Sequence, residues 1–212
     1  MKLHSIFKSL HPRPDARVIL SIIATGLLVA GILSPLTQVS GSTPETSAPE
    51  ATSLVVGMAS DVITLDPAYV TDQNSMLLVS QMFDALTFQP PSATTPQPAL
   101  ALSWTSTPDG QTWDFTIRPG VTFHDGTPLD AQAVIFNVER WWDPLNPYHD
   151  YFGYFDAMFG GFKGDEGCIL SEVNLLGDDT VQFVLSEPLY VLPTILSMPS
   201  FAIASPAAIQ AG

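Results

Sequence analysis

The stretch Thr107–Pro144, TPDGQTWDFTIRPGVTFHDGTPLDAQAVIFNVERWWDP, constrains the fold more than any other part of this chain. Pro108-Asp109-Gly110 is a turn with a mechanism, because proline presets its own φ and glycine takes the left-handed position. After it Trp113, Phe115 and Ile117 alternate with Asp114, Thr116 and Arg118, so Thr112–Arg118 predicts a strand with one buried and one wet face. Ser103–Thr105 is its expected hairpin partner. Pro119-Gly120 turns the chain into a further strand at Val121–His124, and Asp125-Gly126 turns it once more. Asp130 is a natural N-cap for a helix running to about Trp142, with Val134, Ile135, Val138, Trp141 and Trp142 as its apolar stripe and Asp143-Pro144 as its stop.

The flanks add elements of the same kind. Leu54–Met58 is a short apolar run that predicts a buried strand. Pro67 forces Asp66 out of the helical region, so Leu65-Asp66-Pro67 is an extended turn. Asn74 or Ser75 can cap a helix to about Leu86, with Leu78, Val79, Met82, Phe83 and Leu86 on one face. Glu172–Leu176 and Thr180–Ser186, joined at Gly177-Asp178-Asp179, predict a second hairpin in which Val181, Phe183 and Leu185 alternate. A short helix is expected around Val191–Ser197 and a strand at Phe201–Ala204. Pro147–Gly167 carries seven aromatic residues and has no assignable regular structure. Hairpins with interspersed helices point to an α/β or α+β fold rather than a bundle or sandwich.

The first forty residues read as an address. Residues 1–17 are a basic lead, Val18–Leu33 is an uncharged apolar run, and Val39-Ser40-Gly41 offers a small-residue cleavage site. The run is shorter than the ~20 residues that span a bilayer. Residues 1–41 are thus a secretory signal peptide or an uncleaved N-terminal anchor, and export to the periplasm or the outer face of the cytoplasmic membrane is expected. Residues 42–53, rich in Ser, Thr and Pro, cannot bury enough surface to fold and read as a linker. Four of the seven basic residues precede Val18; only Arg118, Arg140 and Lys163 follow it, against twenty acids. The net charge of -14 excludes a general attraction to nucleic acid. Such acidity keeps an exported protein dispersed and also suits cationic ligands.

The central block resembles the extracellular solute-binding proteins, family 5, that serve peptide and nickel ABC importers. The residues that carry the likeness are Asp109, Gly110, Arg118, Gly120, Phe123, His124, Asp125, Gly126 and Arg140, together with Pro108, Trp113, Phe115, Val121, Pro128, Leu129 and Glu139. Leu65-Asp66-Pro67, Met82–Leu86 and the hairpin Asp179–Pro188 agree with it in order, so the likeness covers about residues 54–206. It departs at Ala133, where the family usually carries an acid that would complete a capping box. The likeness implies a periplasmic-binding-protein-like α/β fold, with residues 54–212 an incomplete solute-binding domain: part of the first lobe with its small additional domain, the second lobe being absent. It implies a substrate-binding component that takes a peptide or similar small solute, works with a membrane permease, performs no chemistry and needs no cofactor. A non-transporting remnant or a membrane-tethered interaction module is the alternative.

His124-Asp125 lacks a serine or cysteine nucleophile in a recognisable context, and its expected role is structural, Asp125-Gly126 as a turn that His124 caps or packs. Arg118 and Arg140 can bind anions, or pair with acids such as Asp114 or Glu139 or with turn carbonyls. His124 and His149 lack ligand spacing for a metal, and the lone Cys168 can form neither an internal disulfide nor a multi-cysteine zinc site. The aromatic run Tyr148–Phe162 can line an apolar ligand wall or fill a core. The cleft-facing candidates are Asp66, Tyr69, Thr71 and Asn74, placed by their position after the first expected strand.

Overall fold

Thr112–Ile117 is a strand with Trp113, Phe115 and Ile117 buried, and it lies at the centre of the architecture. In the computed structural model, which describes residues 55–212, it pairs antiparallel with Ala101–Ser106 on one side and Thr180–Leu185 on the other. With Thr87–Phe88 as β1 and Gln97–Pro98 as β2, these strands are β3 (Ala101–Ser106), β4 (Thr112–Ile117) and β8 (Thr180–Leu185). The small pair Val121–Thr122 and Pro128–Leu129 supplies β5 and β6, and Leu170–Leu176 is β7. The main sheet is four-stranded and antiparallel in the order β3-β4-β8-β7, so the two expected hairpins join through their second strands, with Phe115 opposite Val181. The turn at Pro108-Asp109-Gly110 forms as its residues require. Gly110 has φ 70°, and the Asp109 carboxylate accepts from Thr107 Oγ1 at 2.5 Å and Gln111 N at 3.1 Å. A side chain at Gly110 would also strike Tyr190, whose Cε1 lies 2.6 Å from where its Cβ would stand.

Five helices complete the unit: α1 (Gln73–Met82), α2 (Ala131–Trp142), α3 (Gly153–Phe159), α4 (Leu192–Ile195) and α5 (Pro206–Ala211). The Asp130 carboxylate caps α2 alone, accepting from Ala133 N at 2.9 Å. Every residue of the expected α2 stripe is buried, and Asn137 and Arg140 are buried with it. The side chains of α2 and of the inner sheet face form one apolar core. The aromatic run after α2 belongs to that core: Phe152, Phe155 and Phe159 are buried, and Phe155 stacks on Phe159 with ring centroids 4.4 Å apart. Tyr151 stays exposed.

Several expectations change. Asp72, not Asn74 or Ser75, caps α1, its carboxylate accepting from Asn74 N and Ser75 N at 3.1 and 2.9 Å. The helix ends at Met82, and Leu86 is buried beyond it at a bend, where its carbonyl accepts from Ala101 N. Val55–Met58, the described part of the first expected strand, is not a strand: Val55 and Val56 are 90% and 64% exposed. A strand takes its hydrogen bonds from a neighbour, and among the described residues this run pairs with none. Phe201–Ala204 is buried yet forms no ladder. Its Ile203 N donates to Asp84 O, and at Ala204 the Asn137 side chain takes the amide and meets the carbonyl, so one buried asparagine substitutes for a neighbouring strand. The strand expected at Val121–His124 stops at Thr122. The signal and linker assigned to residues 1–53 lie outside the described residues.

Candidate functional site

The segment Ile63–Ser75 is held by its own polar side chains. Ser75 Oγ accepts from Ile63 N at 3.0 Å, Thr64 Oγ1 accepts from Asp66 N at 3.1 Å, and Asp66 Oδ1 accepts from Ala68 N at 3.1 Å. The last bond opens a 3-10 turn at Pro67–Tyr69. Across the fold, Arg140 of α2 meets the same carboxylate with both guanidinium ends, Nη1 to Oδ2 at 2.9 Å and Nη2 to Oδ1 at 2.7 Å. The arginine side chain is 1% exposed and the aspartate 28%. This two-point pairing fixes orientation as well as charge.

Tyr69 completes the cluster. Its ring lies 5.8 Å from the Arg140 guanidinium carbon, and its hydroxyl donates to Tyr148 O at 3.3 Å. Burial pushes the Tyr69 phenol above its ordinary value, against the opposing pull of Arg140. His149 Nδ1 donates to the Arg140 carbonyl at 2.8 Å. The partner of Arg140 is therefore Asp66, not Glu139: neighbours on a helix point to different faces, and Arg140 faces inward. Arg118 does bind a turn carbonyl, with Nε and Nη2 donating to Ala99 O at 3.1 and 3.0 Å.

Beside this clamp lies a cleft of about 710 Å³ with Leu65, Phe83, Leu100, Phe123, Ile203 and Ile209 in its walls. Asp66, Asp84, His124 and Asp125 supply its charged and titratable groups. The structure thus brings the Leu65–Pro67 turn and the Phe123–Asp125 part of the signature block to one place. Of the four cleft candidates, Asp66 lines this cleft but is held by Arg140. Tyr69 is half-buried against that arginine, Thr71 is exposed, and Asn74 Nδ2 donates to Ser60 Oγ. Asp109, Gly110 and Gly120 serve turns and do not line the cleft, and Gly126 closes the turn beside it with φ 84°. His124 is exposed in the cleft wall rather than packed on its turn. Among the described residues no three metal-ligating side chains converge.

Ser205, which the sequence did not single out, ties the end of the described chain to this turn. Its hydroxyl donates to Asp125 Oδ2 at 2.5 Å, while Asp125 Oδ1 accepts from Thr127 Oγ1 at 2.6 Å and Thr127 N at 2.9 Å. These bonds, the Ser205 hydroxyl first, hold the Asp125 carboxyl below the usual aspartate range. A carboxyl depressed on folding adds stability above its unfolded pKa and gives it up as pH falls through the folded value, so the increment disappears below about pH 4. The denaturation midpoint of wild type should fall more steeply between about pH 5 and about pH 2 than that of Ser205→Ala. Equal slopes would show that the hydroxyl does not hold the carboxylate.

Residues 95–211 match the family described as bacterial extracellular solute-binding proteins, family 5, in its middle region, which is more than half of the chain. The chain belongs to this family. It is 38% identical over 97 residues to the dipeptide-binding protein of Escherichia coli K12, covering 43% of this chain and 18% of that protein. Against the glutathione-binding protein GsiB of the same strain it is 29% identical over 160 residues, 76% of this chain and 28% of the relative. A solved structure of the same kind is the periplasmic binding protein DppA of Helicobacter pylori in complex with the peptide STSA. The two superpose with a TM-score of 0.62 at 27% identity, over 71% of this chain and 30% of that one. The chain spans less than a third of the length of each of these proteins. Its fold is part of a lobe of a periplasmic binding protein, mixed helix and sheet.

Proposed function

We propose that this chain contributes to the substrate-binding component of an ABC importer for peptides or related small solutes. The observation that carries the reading is the family match over residues 95–211 on a fold that is part of a periplasmic binding lobe. Relatives named for binding a dipeptide and glutathione support this choice of solute. On this reading the protein is exported, with residues 1–41 as signal or anchor and residues 42–53 as linker, and it works with a membrane permease. It performs no chemistry: solute contacts favour a closed state, and that shape is what the permease senses. The segment Leu65–Asn74, with Asp66, Tyr69, Thr71 and Asn74, faces the solute.

Isothermal calorimetry of the full chain with the tetrapeptide Ser-Thr-Ser-Ala and with glutathione tests the reading. Saturable binding of at least one is expected. A protein that is folded by circular dichroism, with a cooperative thermal transition, and that binds neither would overturn it.

A further inference from the structure

We infer that Arg140 is a positioning residue for the solute-facing segment, acting through Asp66. The inference rests on the peptide-binding reading above and adds a residue on a distant helix to it. Four observations converge. The arginine is buried, and both of its guanidinium ends are spent on one carboxylate, 74 residues away in sequence. That carboxylate also opens the turn at Pro67–Tyr69 through Ala68 N. The Tyr69 ring lies beside the guanidinium and its hydroxyl is tied to Tyr148 O. Finally, Arg140 Nε is buried without a hydrogen-bond partner among the described residues, so no second acceptor shares its orientation.

The physical consequence is local. Asp66 sits where the extended run Ile63–Asp66 turns into the 3-10 element, and Val70, two residues before the Asp72 cap of α1, is fully buried. Locking the Asp66 carboxylate therefore sets the course of the backbone through Pro67–Tyr69 and into Val70 and Thr71, and holds the Tyr69 ring beside the guanidinium. A functional side chain is held to sub-ångström accuracy only when the group behind it is itself locked. Arg140 supplies that lock from the rigid core helix α2, and a lysine supplies the charge without the planar fork.

The test uses the full chain, Ser-Thr-Ser-Ala as probe, and the variants Arg140→Met, Arg140→Lys and the double variant Asp66→Asn/Arg140→Met. Methionine removes the buried charge and leaves Asp66 access to water, so the fold is retained. Arg140→Met should weaken tetrapeptide binding about tenfold, and the double variant should lose no more, as for two residues acting as one unit. Arg140→Lys should recover part of the loss. In hydrogen exchange, Ala68, Tyr69 and Val70 should lose protection in Arg140→Met while the amides of β4 and β8 keep theirs. Unchanged affinity in Arg140→Met overturns this inference alone, as does equal loss of protection in segment and sheet, which marks a general stabilising role. Absence of binding by folded wild type overturns the peptide-binding reading, and this inference with it.

Discussion

Replacing Phe201 with alanine should lower the stability of the 55–212 unit by about 3–5 kcal/mol, the usual cost of emptying a buried aromatic site. Phe201 is fully buried where three elements meet. Its ring lies edge-on to Trp141 of α2 at 5.6 Å, 5.1 Å from Phe152 at the start of α3, and 6.2 Å from Phe159 near the end of α3. The substitution removes the apolar transfer term and the aromatic contacts together, and neighbours on α2 and at both ends of α3 cannot all collapse into the gap. Urea denaturation of wild type, Phe201→Ala and Phe201→Leu measures it, with leucine expected to retain more than half of the stability that alanine loses. Leu145→Ala, at a side chain 91% exposed, serves as the reference and should change stability by no more than about 0.5 kcal/mol. A loss below about 1 kcal/mol in Phe201→Ala would mean that the aromatic seam does not hold α3 to α2.

Asp66→Ala should cost about 3 kcal/mol or more, because it strands a buried guanidinium without its anion. The reverse truncation is milder. Arg140→Met replaces a buried charge with an apolar chain, and the carboxylate left behind can reach water, since Asp66 is 28% exposed against 1% for Arg140. The two single variants should therefore differ by roughly 2 kcal/mol, and Asp66→Ala/Arg140→Met should be more stable than Asp66→Ala alone. Chemical denaturation of the three proteins at one ionic strength decides this. Equal losses in the two single variants would show that the pair is solvated as a surface bridge is.

Local features were legible in the sequence because their causes are local. The β4–β8 face follows from a period of two, and Asp130 caps α2 through an oxygen three residues from its donor. The positive φ of Gly110 and Gly126 follows from the turn residues around them. The signature block is similarly contiguous and lies within the matched residues 95–211. Asp66 was nominated only by its position after the first expected strand, and nothing near it in the sequence says that its carboxylate is already occupied by Arg140.

The cap of α1 was misplaced by two or three residues, a local miss; the two expected strands that failed needed a distant partner. Val55–Met58 and Phe201–Ala204 have strand-like apolar runs, yet a run becomes a strand only when another backbone supplies its hydrogen bonds. The first has no such partner among the described residues; the second has a single bond to a distant backbone, Ile203 N to Asp84 O, and otherwise the side chain of Asn137, 67 residues before Ala204. Arg140 was readable as a cation seeking an anion, with eighteen carboxylates between residues 55 and 212 to choose from. The sequence by itself therefore determined the turns, the cap of α2, the alternating faces and, through them, the family. Only the tertiary structure decided that Arg140 closes on Asp66, that Ser205 holds Asp125, and that the Phe123–Asp125 turn shares a cleft with Leu65–Pro67. Pairing energy depends on distance and burial in space, and neither is written in the spacing of residues along a chain.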